Sequence, residues 1–202
     1  ESKFIELQNS LAKVDIIYVL AEINNLMKTI DRGTLRTSEI IKGLKTFARD
    51  TGDEFMLYDV EEGIDTALTL LKHKLNNGIT VVKYYQFNRQ LICQISKINQ
   101  VFLNILDNAI QSINDNGEIK ITTEEKDNKC VITISDTGKG MSEVTKNKIF
   151  EPFFTTKDVG EGTGLGLYIS YAIIKQHNGE IKVESELDKG TSFKIYIPVN
   201  NS

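Results

Sequence analysis

Apolar residues recur at helical spacing along the first quarter of the chain. They occupy Ile16, Val19, Leu20, Ile23, Leu26, Met27 and Ile30, and the pattern resumes between Leu35 and Phe47. This spacing predicts an amphipathic helix from Asp15 to Arg49, about 50 Å long at roughly 1.5 Å per residue, with a break near Gly33. Because the apolar stripe is so long, we favour half of a helical bundle or a dimer stalk over a packing helix of one domain.

The residues after Thr51-Gly52-Asp53 show a different pattern, which sets a domain boundary there. We therefore divide the chain into a helical stalk, residues 1–52, and a second domain, residues 53–202. Helices are predicted over 60–75 (capped by Asp59), 97–114 (capped by Ser96), 142–150 and 164–177, and strands over 79–85, 91–93, 118–124, 129–135, 180–186 and 192–198. This order predicts an α+β fold, a two-layer α/β sandwich whose mixed, mostly antiparallel sheet packs on helices.

Composition excludes several classes of function. The net charge of −4 over 202 residues gives no sign of a nucleic-acid surface. No apolar run approaches the roughly 20 residues of a membrane span, so we expect no membrane contact by this region. Cys93 and Cys130 lack a CxxC spacing and fit a reducing, cytoplasmic compartment. The chain does not begin with Met, so we expect a piece of a longer protein, which can itself be membrane-anchored.

Glycine is concentrated between Asp136 and Leu167. Six of the fourteen glycines lie there, at positions 138, 140, 160, 162, 164 and 166. A glycine cluster that ends at a helix N-terminus suits a phosphate group, because unpaired N–H groups and the helix dipole face the anion. A flexible surface loop is the alternative. We favour the phosphate site because two glycine clusters flank the aromatic segment Phe150–Lys157 and lead into an apolar helix.

Three polar residues supply candidate chemistry. Asn104 and Asn108 are four residues apart and share one helix face. An asparagine carbonyl oxygen suits Mg²⁺, although two buried amides satisfied by backbone are an equally good interpretation. Asp136, at a predicted strand end, can accept a hydrogen bond from an exocyclic amine such as that of adenine, or simply cap its own turn. The pair Gly190-Thr191 alone indicates only a hairpin turn.

Together these segments resemble the nucleotide-binding boxes of the sensor histidine kinase catalytic domain. That domain belongs to an ATPase superfamily with DNA gyrase B, the MutL repair proteins and a heat-shock chaperone. The resemblance covers roughly Asp59 to Val199. The matching segments are 104–108 (N box), 136–140 (first glycine box), 150–157 (F box), 162–167 (second glycine box) and, more weakly, 190–191.

The resemblance implies ATP and Mg²⁺ as cofactors and a role for each matching residue. Asn108 would ligate Mg²⁺, and Asp136 would bind the adenine amine. Gly138 and Gly140 would let the backbone pass the base. Lys157 would meet the outer phosphates, and residues 150–162 would form a movable lid. The phosphates would be held by Gly162, Gly164, Leu165, Gly166 and Leu167, with Thr191 in the weakest box.

Two positions bear on the type of reaction. In ATP-hydrolysing relatives the position of Asn104 is a glutamate that activates water. An amide takes up no proton at neutral pH, so Asn104 favours phosphoryl transfer over hydrolysis and is our candidate catalytic residue. Many histidine kinases carry a basic residue at the position of Gln111. Phosphate neutralisation here would therefore depend more on Mg²⁺, Lys157 and backbone.

The residues from Ile40 to Arg49 resemble the end of the second dimerisation and phosphotransfer helix. Aligning Ala21 with the acceptor histidine leaves too few residues for two helices and a turn, so we expect that histidine upstream of Glu1. His73 and His177 are interpreted as structural, with a cationic His177 at a helix C-terminus.

The resemblance thus implies an ATP-dependent protein-histidine kinase. Its partners would be a response regulator receiver domain and a second copy of the chain, joined through the N-terminal helices. The alternatives are a nucleotide-binding dimer scaffold without turnover, or an ATPase or protein Ser kinase of the same superfamily.

Overall fold

The described part of the N-terminal region is helical. The computed structural model describes residues 3, 18–31, 33–34, 54–75, 78–157 and 162–199. Residues 18–31 form helix α1, and residues 33–34 are helical as well. The Thr34 hydroxyl donates to the Ile30 carbonyl oxygen at 2.9 Å, one helical turn back. The rest of the predicted long helix, and the predicted boundary at 51–53, lie outside the described residues.

The second part of the chain alternates strands and helices. The strands are β1 (Met56–Tyr58), β2 (Ile79–Tyr85), β3 (Leu91–Cys93), β4 (Gly117–Lys126), β5 (Lys129–Asp136), β6 (Glu180–Glu186) and β7 (Gly190–Pro198). The helices are α2 (Val60–Leu70), α3 (Ile95–Ser112), α4 (Glu143–Lys146) and α5 (Gly166–Gln176). In the part of the chain that is described, no helix has the length and apolar character needed to span a bilayer.

Five strands form one sheet in the order β2-β4-β5-β7-β6. The pair β2 and β4 is parallel, and the other three pairs are antiparallel. Strands β1 and β3 form a separate antiparallel pair. The predicted mixed, mostly antiparallel sheet is therefore confirmed. The β4–β5 hairpin turns at Asp127 and Asn128, whose φ values of 51° and 57° place both in the left-handed region that suits a tight hairpin.

Helix α3 lies at the centre of the core, packed against α2, α5 and strands β5 and β7. Its apolar residues recur at helical spacing and are buried: Ile98, Val101, Phe102, Ile105, Leu106, Ala109 and Ile110. Each large side chain contributes about 1.5–3 kcal/mol through burial. This packing makes α3 a rigid support for Asn104 and Asn108, which interrupt its apolar pattern.

Four local predictions were wrong. Helix α2 ends at Leu70, five residues earlier than predicted. Strand β1 was missed, because three residues give no readable alternation. Helix α3 begins after Gln94, whose side chain makes no capping bond, so Ser96 is not the N-cap. The short helix α4 ends at Lys146 rather than near Phe150, although Ser142 caps it by accepting from the Thr145 backbone N–H at 3.2 Å.

His177 is structural, but it is not the cation that its position suggested. Its side chain is fully buried, with Nδ1 bonded to the Ile173 carbonyl oxygen at 2.8 Å. The Gln94 backbone N–H donates to His177 Nε2 at 3.1 Å. An N–H group can only donate, so Nε2 carries a lone pair and the ring is neutral. Burial accordingly lowers the pKa of His177.

Candidate functional site

Asp136 is held at the end of β5, between Ile119 of β4 and Thr191 of β7. It is 7% exposed, and its Oδ1 accepts from Ser112 Oγ at 2.8 Å and the Gly138 backbone N–H at 2.9 Å. Burial raises the pKa of Asp136, and these bonds, with one from the Thr191 backbone, offset only part of that effect. The result is a fixed acceptor in a partly desolvated place, suited to a neutral N–H donor.

The glycines after Asp136 have a packing role in the protein itself. A Cβ at Gly138 would overlap Ser112 on α3. Gly140 has φ of +61°, and a Cβ there would overlap the Glu186 carbonyl oxygen. We expected these glycines to admit a ligand. The structure shows that they also let the loop approach α3 and β6 closely.

Asn104 connects α3 to the start of α5. Its Nδ2 donates to the Gly166 carbonyl oxygen at 3.0 Å and to Ser170 Oγ at 3.2 Å. The Ser170 hydroxyl in turn donates to the same Gly166 oxygen at 2.9 Å. Because a carbonyl oxygen only accepts, the Asn104 amide orientation is fixed and both of its hydrogens are used. Only the Asn104 carbonyl oxygen remains for a ligand.

Asn108 and Lys157 meet at the candidate metal position. Lys157 Nζ donates to Asn108 Oδ1 at 3.3 Å and also to Gln111 Oε1. Asn108 Oδ1 is thus already the acceptor for a cation. Among the described residues, no group of three or more His, Cys, Asp or Glu side chains could hold a metal alone. One amide oxygen fits Mg²⁺ that arrives with phosphate ligands, as this ion commonly does.

The second glycine segment leads directly into α5. Gly164 has φ of +67°, and a Cβ there would overlap the Phe153 backbone. Leu165 is the N-cap residue and provides no side-chain capping bond. The first N–H groups of α5 therefore depend on other partners, which a bound anion can supply.

The aromatic segment before this loop is anchored at its beginning. The Phe150 ring lies 5.2 Å from the Tyr171 ring on α5, and Ile149 is buried. Residues 158–161 of the predicted lid lie outside the described part of the chain. The anchored portion explains how Lys157 is brought beside α3.

These elements line an open cavity of about 680 Å³. Ten of the twelve predicted site residues line it: Asn104, Asn108, Asp136, Gly140, Lys157, Gly162, Gly164, Gly166, Leu167 and Thr191. Gly138 and Leu165 do not, since Gly138 faces Ser112 and Leu165 is buried in the core. Both support the site through packing.

Several lining residues were not predicted. Apolar walls come from Ala109, Met141, Ile149, Phe154, Leu187 and Phe193. Ser112, which holds Asp136, was also missed. The sequence did contain its signal, because Asn104, Asn108 and Ser112 stand at successive four-residue intervals and so form one polar stripe on α3. The apolar walls had no local signal, since they come from separate elements.

Comparison with known proteins identifies the family of this chain. The family model for histidine kinase-, DNA gyrase B- and HSP90-like ATPases matches residues 93–201. The chain is 47% identical to sporulation kinase E of Bacillus subtilis over 113 residues, covering 55% of this chain and 15% of that protein. It is 30% identical to the sensor histidine kinase ZraS of Escherichia coli over 181 residues, covering 89% and 38%. The chain thus spans well under half the length of either relative.

A solved structure extends the match. The histidine kinase ThkA, in a crystal structure in complex with the response regulator protein TrrA, superposes with a TM-score of 0.69 at 27% identity. The match covers 98% of this chain and 56% of that one.

The α+β architecture, the ordered boxes and the family match over more than half of the residues agree. The chain therefore belongs to the family of histidine kinase-, DNA gyrase B- and HSP90-like ATPases.

Proposed function

We propose that this chain is the ATP-binding catalytic region of a sensor histidine kinase. It would transfer the γ-phosphoryl group of Mg-ATP to a histidine outside these 202 residues, for relay to an aspartate of a response regulator. The observation that carries the proposal is the environment of Asn104. Both amide hydrogens are used by Gly166 and Ser170, so only a carbonyl oxygen remains, which cannot deprotonate water. Such a site favours transfer to a nucleophile that needs no base.

The described contacts support a placement for the nucleotide. Asp136 would accept from the adenine amine, with Met141 and Leu187 among the apolar side chains around the base. The backbone from Gly162 to Leu167 would hold the phosphates. When bound, Mg²⁺ would neutralise charge on the phosphate oxygens, with Asn108 as its ligand from the protein. Lys157 would bind the terminal phosphate from its position beside Asn108.

The chain's own histidines are poor acceptors. His177 is buried with both ring nitrogens bonded. His73 is exposed near the end of α2, where its Nδ1 lies 3.0 Å from the Leu70 carbonyl oxygen, and it does not line the cavity. An acceptor on a separate helix that docks over the cavity is consistent with both observations.

Two further observations support the proposed partners. ThkA was crystallised with a response regulator, which supports a receiver domain as the partner of this chain as well. Helix α1 exposes a continuous apolar set, which supports dimerisation with a second copy: Tyr18, Val19, Leu20, Ile23, Leu26, Met27 and Ile30. We place this region in the cytoplasm, where Mg-ATP is available and where the free, buried Cys93 and Cys130 would stay reduced.

A labelling experiment tests the function. The chain is incubated with Mg-ATP labelled in the γ-phosphate and with a helical phosphotransfer domain that carries an acceptor histidine. We expect acid-labile label on that domain, and no transfer by the Asn108→Ala variant. Asn88→Ala, an exposed asparagine that does not line the cavity, is the matched control.

The other outcomes identify the alternatives. Release of free phosphate without labelled protein would identify a hydrolysing ATPase. Acid-stable label on serine would identify a protein Ser kinase. Nucleotide binding with neither product would identify a scaffold. Each of these results would overturn the proposed transfer to histidine.

A further inference from the structure

Four charged or polar side chains form a chain of contacts along one rim of the cavity. Lys157 Nζ donates to Gln111 Oε1, and Gln111 Nε2 donates to Asp107 Oδ2 at 2.7 Å. The other oxygen of that carboxylate, Oδ1, accepts from Lys74 Nζ at 2.7 Å. All four residues line the cavity. The series therefore links the turn after α2, the exposed side of α3 and the segment before the phosphate loop.

Asp107 and Lys157 impose the same order of donors and acceptors on this series. A carboxylate only accepts, so the Gln111 NH₂ group must face Asp107 and the Gln111 carbonyl oxygen must face Lys157. Asp107 and Gln111 are four residues apart on α3, which makes this contact compatible with helix geometry. Lys74 occupies Asp107 Oδ1, which leaves Oδ2 for Gln111. Lys157 only donates and so selects the same orientation of the amide, while Asp107 anchors the NH₂ end of Gln111 to α3.

The network fixes the position of the Lys157 ammonium group. A lysine has a long flexible stem, so a defined position for its ammonium group requires fixed acceptors. Here those acceptors are Gln111 and Asn108, the candidate Mg²⁺ ligand. A Cβ added to Gly162 would lie 3.0 Å from Lys157 Cδ, so the stem runs along the glycine loop. The ammonium is thus held between the two elements that would contact the phosphates.

We propose that Asp107, Gln111 and Lys74 are positioning residues that place the Lys157 ammonium beside Asn108, where it binds the terminal phosphate of ATP. This proposal rests on the proposed function. Gln111 carries no charge itself, but it holds the ammonium group of Lys157, which belongs to another segment. The network acts on the γ-phosphate, so it affects the affinity for ATP more than the affinity for ADP.

The first test removes the acceptor. Gln111→Met keeps the length of the side chain but cannot accept from Lys157, and Gln176→Met, at an exposed position of α5, is the matched control. The dissociation constants for Mg-ATP and Mg-ADP are measured by calorimetry. We expect Gln111→Met and Lys157→Ala to weaken ATP binding about tenfold and ADP binding less than about twofold, because a charge-assisted contact to the γ-phosphate is lost. Gln176→Met should change neither constant.

The second test separates positioning from simple electrostatics. Asp107→Ala removes a negative charge near the phosphates, so Coulomb interaction alone would strengthen ATP binding. Positioning predicts the opposite, about a three- to tenfold weakening for ATP, because the Gln111 side chain loses the anchor of its NH₂ group. Moving the cation is the third test. Lys157→Ala combined with Gln111→Lys should recover most of the ATP affinity that Lys157→Ala loses.

Urea unfolding confirms that each variant is folded at the temperature of measurement. The inference is overturned if Gln111→Met weakens the binding of ATP and ADP equally, or if it changes neither affinity. It is also overturned if Asp107→Ala strengthens ATP binding, or if Gln111→Lys recovers none of the ATP affinity that Lys157→Ala loses. If the wild-type protein binds ATP and transfers phosphate, and the variants bind ATP as tightly as wild type, this inference alone is overturned. Wild-type protein that binds neither nucleotide would overturn the proposed function together with it.

Discussion

The Asn104 amide nitrogen donates to the Gly166 carbonyl oxygen at 3.0 Å, and this bond joins the middle of α3 to the first residue of α5. The loop that precedes Gly166 is the glycine segment proposed to hold phosphates. The side chain proposed to orient the reacting groups therefore also holds the first residue of α5, directly after the proposed phosphate loop. We expect a change at Asn104 to affect both binding and reaction.

Asn104→Ala should have a small effect on ATP affinity and a large effect on the rate of phosphoryl transfer. The Ser170 hydroxyl still donates to the Gly166 oxygen, so the loop keeps one of its two anchors and ATP affinity should stay within about threefold. Phosphoryl transfer should fall about a hundredfold, because the acceptor and the γ-phosphate lose a fixed orienting group. Single-turnover labelling checks the rate, with Asn88→Ala as the control. A loss of nucleotide binding as large as the loss of rate would contradict this assignment.

Asp136→Asn should weaken ATP binding about ten- to a hundredfold, since Oδ1 keeps the bonds to Ser112 and Gly138 and the other position becomes an NH₂ group, which cannot accept from the adenine amine. Guanine carries a carbonyl oxygen where adenine carries that amine, and the new amide NH₂ can donate to it. Discrimination against GTP should therefore shrink. Competition binding with both nucleotides measures the ratio.

The stability of this variant provides its control. Burial raises the pKa of Asp136, which means that the charged form is disfavoured in the fold. A neutral isostere that keeps its bonds to Ser112 and Gly138 should leave the free energy of unfolding at neutral pH unchanged or higher. Loss of ATP binding from a folded protein would then report on the ligand contact. Unchanged affinity for both nucleotides would exclude Asp136 as the base-binding residue.

Much of the fold could be predicted because its signals are local. Strands β2 and β6 match their predicted bounds, since the turn sequence Asn76-Asn77-Gly78 precedes β2 and Asp188-Lys189-Gly190 follows β6. Asp59 caps α2 as predicted, accepting from the Glu61 and Glu62 backbone N–H groups. These features depend on a few neighbouring residues. Local propensity and capping are therefore sufficient to specify them.

The features that could not be predicted depend on contacts between distant segments. Lys157 meets Asn108 and Gln111 across more than forty positions of sequence. The neutral state of His177 is set by Gln94, on the strand-to-helix junction before α3. A position near a helix C-terminus favours a cation only when the site is solvated, and here burial dominates. No single stretch of sequence contains that information.

Gly140→Ala should destabilise the domain, because the added Cβ would meet the end of β6. The left-handed φ of +61° costs an alanine about 1–2 kcal/mol, and overlap with the Glu186 carbonyl oxygen adds to this. Urea unfolding should show a lower midpoint. Gly33→Ala is the control, because a Cβ there meets nothing within 4 Å and alanine favours a helix. Equal stability of the two variants would contradict the packing role of Gly140.

His177 should make the stability of the domain depend on pH. The unfolded chain takes up a proton near the ordinary histidine value of 6.5, whereas burial holds the folded pKa lower. As the pH falls below 6.5, the unfolded state therefore binds the proton first and stability decreases. The decrease is at most about 1.4 kcal/mol per pH unit for one such group, and it ends at the folded pKa.

A pair of histidine variants assigns this effect. His177→Gln can still donate to the Ile173 carbonyl oxygen and accept from the Gln94 N–H, but it does not titrate. Its stability should be lower than wild type at about pH 7.5 because the ring contact with Phe55 is lost, yet flatter between about pH 7.5 and 5.5. His73→Gln, at an exposed position, should keep the wild-type slope. If His73→Gln flattens the profile and His177→Gln does not, the buried ring is not the group that responds to pH.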